Sequence, residues 1–155
     1  MKLTILAVGK ARKTAESELW ADWLRRCPYP AHLREFESHL PAGPARTKEE
    51  SEKLLSYISR CSGSPKRLII LDPNGVNISS EELADMLGHW RTEAISQCFF
   101  AIGGADGHHP DLLNTADKKI AFGRATWPHM LCRAMLAEQI YRAEMILARH
   151  PYHRG

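Results

Sequence analysis

The sequence holds only four cysteines, Cys27, Cys61, Cys98 and Cys132, and no two of them form a CxxC pair. Spread this way, they read as reduced thiols packed as small hydrophobes in a reducing compartment, which argues against a metal or redox role. No apolar run approaches the roughly 20 residues of a membrane span. The opening stretch, residues 1–9, is too short and too soon followed by Lys10, Arg12 and Lys13 to be a signal peptide. A soluble, cytoplasmic chain with no membrane partner is expected. There is no GxSxG, no GxGxxG, no P-loop, and no cysteine in a recognisable nucleophile setting. These absences remove the serine-hydrolase and cysteine-protease readings and the usual phosphate fingerprints. Repeats and low-complexity tracts are missing too, and a single domain over residues 1–155 is expected.

What is present is an ordinary globular composition: 44% hydrophobic and 25% charged residues, with 21 basic against 18 acidic for a net charge of +3. That mild basicity fits a polyanionic partner without requiring one. Short β-like runs alternate with longer helical ones. Strands are expected at residues 3–8, 32–38, 67–71, 97–102 and 119–122. Helical spacing in Leu19, Trp20, Trp23 and Leu24 is closed by Pro28 and Pro30. Residues 41–46 read as a loop, after which Thr47 and Glu50 form a capping box opening a helix to about Cys61. Asp72-Pro73-Asn74-Gly75 is a turn that stops the third strand, and Ser79 with Glu82 caps the next helix, to about Glu93. A short helix over residues 110–116 and a long one from Pro128 to about Ala148 complete the series. The class is α/β: an open parallel sheet with helices on both faces.

Chemistry in such a sheet belongs at the carboxyl ends of the strands. Gly103-Gly104-Ala105-Asp106-Gly107 leaves the fourth strand, and glycine lets the backbone approach a ligand; a plain turn has the same composition. The 72–75 turn ends the neighbouring strand. Phe122-Gly123-Arg124-Ala125-Thr126-Trp127 forms a third loop, either a simple connection or a wall for a flat heterocycle. The last helix is apolar over more than one stripe, which suits burial on two sides, in the core or against a second subunit. After it comes Arg149-His150-Pro151-Tyr152-His153-Arg154, whose charges and ring suit phosphate contacts and base stacking, though chain ends are often frayed. Nothing completes a metal site around His150 and His153, and His108-His109 reads as a polar turn.

Together, residues 1–9, Ile102-Gly103-Gly104 with Gly107, Pro128-His129, Arg133, Glu138-Gln139-Ile140-Tyr141-Arg142-Ala143 and Pro151-Tyr152-His153-Arg154 resemble the RlmH family of SPOUT-class methyltransferases. The resemblance spans the whole chain and is loosest over residues 31–64. It implies a SPOUT fold with a C-terminal trefoil knot and a homodimer. It also implies S-adenosyl-L-methionine held in the knot, and as target N3 of a pseudouridine in 23S ribosomal RNA, on the assembled 70S ribosome. Carried over by position, the cofactor residues are Leu71, Gly103, Gly104, Phe122, Gly123, Arg124, Ala125, Thr126 and Trp127. No metal is implied.

An imide N3 must lose its proton before it attacks a methyl group, so a histidine acceptor and a nearby cation are expected. His153 and Arg154 are the candidates, with Tyr152 holding the base or the tail, and His129 beside the cofactor loop as the second candidate base. Besides the same enzyme class acting on a different RNA target, two other readings stay open on residues alone. One is a non-enzymatic RNA- or ribosome-binding module that kept the fold without the cofactor. The other is a small α/β enzyme binding a nucleotide or flavin at the same sheet edge.

Overall fold

In the computed structural model, which describes residues 1–152, five strands and five helices alternate along the described chain. Strands β1 (Lys2–Val8), β2 (Ala31–Phe36), β3 (Lys66–Asn77), β4 (Gln97–Ile102) and β5 (Lys118–Ala121) form one sheet in the order β2-β1-β4-β3-β5. Every neighbouring pair is parallel. β4 is buried along its whole length and β1 all but its first residue, as continuous apolar runs in a covered parallel sheet should be. The two edges alternate or carry exposed lysines, Lys118 and Lys119 on β5, which discourages further strand pairing.

Helices α1 (Ala15–Arg26), α3 (Ser80–Thr92) and α5 (His129–Leu147) cover one face; α2 (Pro44–Arg60) and the single turn α4 (Pro110–Leu113) cover the other. α5 packs between α1 and α3, which explains its width of apolar surface: the core takes both flanks. α1 and α3 begin with reciprocal capping boxes, Thr14 with Ser17 and Ser79 with Glu82.

Three sequence expectations give way. Thr47 and Glu50 do not cap α2; the helix starts earlier, at Pro44 behind Gly43, and both residues lie buried inside it. Proline at the first helical position is pre-set for the helix, so residues 44–46 leave the loop. Thr47 donates its hydroxyl back to the Gly43 carbonyl at 3.3 Å, and Glu50 accepts from Arg46 at 2.9 Å. Likewise Asp72-Pro73-Asn74-Gly75 does not end β3. It bulges out, and Val76 and Asn77 pair again with β5. A β-carbon at Gly75 would lie 2.6 Å from the Ile120 carbonyl carbon, so only glycine lets the bulge lie across β5. The short helix also ends at Leu113, before Ala116.

The four cysteines are free. Burial pushes the Cys27 thiol up to about 12 and raises that of Cys98 as well, so neither is a thiolate at neutral pH. No helix among the described residues is long and apolar enough to cross a membrane, and no group of them can hold a metal ion.

Candidate active site

The bulge of β3 and the loops leaving β4 and β5 meet the first turn of α5 around a cavity of about 580 Å³. The two loops follow the carboxyl ends of parallel strands, where an open α/β sheet offers a crevice, and the bulge lies beside them. Of the candidate cofactor residues, Leu71, Gly103, Gly104, Phe122, Gly123, Ala125, Thr126 and Trp127 line it. Arg124 belongs to the same loop but is exposed and does not line the cavity.

The glycine loop is a tight turn in which Gly107 donates its amide to the Gly104 carbonyl at 3.1 Å. A β-carbon on Gly103 would stand 2.9 Å from the Gly107 carbonyl, and one on Gly104 would stand 3.2 Å from a Val8 methyl. The wall is thus bare backbone, with amides and carbonyls close to whatever enters. The third loop is stapled across itself: the Trp127 indole donates to the Phe122 carbonyl at 2.9 Å, and Asn77 accepts the Gly123 amide at 3.1 Å. Gly123 needs its φ of +81°, a conformation L side chains rarely adopt. Trp127 remains 41% exposed, so its ring is available at the rim.

No lysine or arginine lines the cavity among the described residues; Asp72 supplies its carboxylate and His129 its imidazole. Burial lowers the His129 pKa, and the Arg133 cation lowers it further. His129 is therefore a neutral proton acceptor at pH 7. The turn containing Asp72 was expected to line a pocket with the glycine loop, and does; sequence reasoning missed Cys132 as a lining residue and the ion pair behind His129.

There, Arg133 is completely buried. Its guanidinium donates to Glu35 at 2.6 Å and to the Val8 and Gly9 carbonyls at 2.7 and 2.8 Å. Glu35 in turn accepts the Ala11 amide at 2.8 Å. One cation thus ties α5 to the ends of β1 and β2. A charged residue in phase with Met130, Ala134 and Ala137 on an apolar helix face was the signal that could have revealed it.

Of the tail, only Tyr152 is described among the candidate catalytic residues; His153 and Arg154 lie outside the described residues. Tyr152 is not near His129. Its hydroxyl donates to Glu138 at 3.0 Å, and its ring meets Tyr141 and Trp23 edge-on at 5.0 and 5.9 Å. Arg142 lies over the same ring and also bonds Glu138.

The pair His108-His109 is more than a polar turn. His109 caps α4, its ring accepting the Asp111 amide at 3.3 Å, while its own amide donates to Ser51 on α2. His108 is tucked inward, and burial pulls its pKa down to about 4. Below about 6.5 the unfolded chain takes up this proton and the folded one does not, so stability falls as pH drops from 6.5 towards 4. The expected loss is on the order of 2 kcal/mol. Urea unfolding at pH 7 and pH 4.5 checks this: a His108→Asn variant should show a visibly flatter pH dependence than the parent, and equal slopes refute it.

The chain matches the family model described as "Predicted SPOUT methyltransferase" over residues 1–153. It is 43% identical over 155 residues to the ribosomal RNA large subunit methyltransferase H of Paramagnetospirillum magneticum, covering 99% of each chain. The protein of that name from Rhodospirillum centenum is 42% identical over 156 residues, with 100% of each covered. In fold, the chain is similar to a probable methylase family protein from Haemophilus influenzae Rd KW20, with a TM-score of 0.56 at 8% identity. That match covers 99% of this chain and 70% of the other.

Proposed function

Because this chain belongs to the SPOUT methyltransferase family, we propose that it methylates N3 of a pseudouridine in 23S ribosomal RNA, using S-adenosylmethionine, in the cytoplasm. The observation that carries this reading is the convergence of the β3 bulge and two strand-end loops on one cavity of about 580 Å³. Its size is within the range of small-molecule sites. Its residues fit the donor: the Gly103–Gly107 turn presents bare backbone packed too tightly for a β-carbon, Leu71, Ile102 and Ile120 offer apolar surface, and among the described residues no lining lysine or arginine opposes a sulfonium. The bound donor supplies an electrophilic methyl group that needs only a nucleophile in line with it.

The chain's own residues must position that nucleophile and remove its proton. His129, neutral and at the cavity, is one acceptor; His153 with Arg154 is the other candidate pair, the cation favouring the N3 anion. Tyr152 is fastened near Glu138, whose helical rise from His129 is roughly 14 Å. Two residues of extended chain reach about 7 Å. Residues following Tyr152 are therefore better suited to another subunit's cavity than to their own, which favours a homodimer with composite sites. The knot belongs to the same proposal as the family's way of closing this pocket.

Mass mapping of 23S ribosomal RNA from cells with and without the gene tests the reading. We expect one pseudouridine-containing fragment to be lighter by a single CH₂ unit when the gene is absent, one methyl having been replaced by one hydrogen. The fragment should regain that mass when purified protein and S-adenosylmethionine are added to assembled ribosomes. An unchanged fragment pattern would refute the reading. If S-adenosylmethionine also showed no binding in an equilibrium titration, the non-enzymatic module would replace it.

A further inference from the structure

A groove of about 980 Å³, larger than the cavity, runs as a trough between α1 and the edge strand β2. Its walls carry Arg12, Lys13, Arg25, His32 and Arg34 against one carboxylate, Glu35. That carboxylate is already spent on Arg133 and the Ala11 amide. Arg25 pairs with Asp22, and Lys13 stands 4.0 Å from Glu18. Arg12, His32 and Arg34 make no ion pair among the described residues and are exposed. So the trough keeps a net positive lining after its own pairs are counted.

Its position matters as much as its charge. Arg12 and Lys13 belong to the loop that follows Gly9, and a β-carbon on Gly9 would lie 4.0 Å from the His129 imidazole. The trough therefore begins beside the cavity and follows β2 for about 20 Å. At its far end Tyr29 is 48% exposed, with the Arg91 guanidinium 4.4 Å from its ring centre, leaving an aromatic platform at the surface. A cationic track ending on an exposed ring is the arrangement that holds single-stranded nucleic acid, phosphates on the cations and a base on the ring.

We propose that this trough binds the phosphodiester backbone of the RNA strand flanking the target nucleotide, with Arg12 and Arg34 as phosphate contacts and Tyr29 as a stacking surface. The inference rests on the reading of the protein as an RNA methyltransferase. It gives that reading a docking surface outside the cavity and independent of the tail.

The test compares the parent with an Arg12→Ala/Arg34→Ala variant on ribosomes isolated from cells lacking the gene, over a series of salt concentrations. At about 0.15 M salt KM for ribosomes should rise roughly tenfold. The slope of log KM against log salt should fall by about 0.7 for each phosphate no longer bound. S-adenosylmethionine affinity, kcat at saturating ribosomes and the thermal midpoint should stay at parent values. An Arg12→Lys/Arg34→Lys variant, which keeps the charges, should retain the parent slope. A parental KM and slope in the alanine variant would overturn the inference. A raised KM with an unchanged slope would overturn it differently, by making a ribosomal protein the partner. If the parent itself transferred no methyl group to ribosomal RNA, the underlying reading would fail first, and visibly so.

Discussion

Replacing Arg133 with methionine should cost about 3–5 kcal/mol of folding stability, a large share of what holds a single domain together. The side chain is wholly enclosed and donates three hydrogen bonds, one to Glu35 and one each to the carbonyls of Val8 and Gly9. Its guanidinium also stands 5.5 Å from the centre of the Trp20 ring. Methionine keeps most of the volume but none of the donors. Two carbonyls and a carboxylate then lose their partner, and unsatisfied buried acceptors are costly even where dispersion contacts survive. Urea unfolding gives the number. Adding Glu35→Gln to the methionine variant should recover at least about 1 kcal/mol, because it removes the uncompensated charge. A loss below about 1 kcal/mol in the single variant would mean that water replaces the guanidinium and the pair is not structural. The effect should reach the cavity as well, because Arg133 lies one turn beyond His129 and ties its helix to the loop carrying Arg12 and Lys13.

That residue marks where sequence reading stops. The sheet was legible because β4 and β1 are unbroken apolar runs, and the cavity segments because each directly follows an apolar stretch and carries glycine or a turn pair. Arg133 was visible as one of the recurring family positions, but its partners Glu35 and Gly9 lie far away in sequence, and no local pattern connects them. Glu144 on the same helix, buried against Arg91, was invisible for the same reason. The two misplaced boundaries have a different cause. Thr47 and Glu50 form a valid capping pattern, but an earlier Gly43-Pro44 start competes with it and wins because Thr47, Glu50, Ser51 and Leu54 then share the buried face. Asp72-Pro73-Asn74-Gly75 has the composition of a chain reversal, and the Asp72 carboxylate does accept the Asn74 amide at 2.7 Å. Pairing of Val76 and Asn77 with β5, which is distant in sequence, turns it into a bulge.

Substituting alanine at both His153 and Arg154 should lower kcat by about 10²- to 10⁴-fold, the range expected when a general base and its electrostatic partner are removed. Folding stability and S-adenosylmethionine affinity should stay at parent values, which separates a loss of proton transfer from a loss of the fold or of the cofactor. A parental kcat would leave His129 as the base. In the proposed homodimer, the same pair of residues reveals which subunit would complete each site. Tyr152 is held against Glu138, Tyr141 and Trp23, beside the middle of α5 rather than its cavity end. Mixed dimers exploit this. One subunit carries His153→Ala and Arg154→Ala, and the other carries Gly103→Val, whose side chain would collide with the Gly107 backbone 2.9 Å from its β-carbon and close the cavity. If each tail serves its partner, one site in the mixed dimer combines an intact cavity with an intact tail, and about half of the parental activity returns. If each tail serves its own cavity, both sites keep one defect and the mixture stays as inactive as either parent variant. The two arrangements differ by a factor of more than about 50 in turnover, well outside any effect of imperfect mixing.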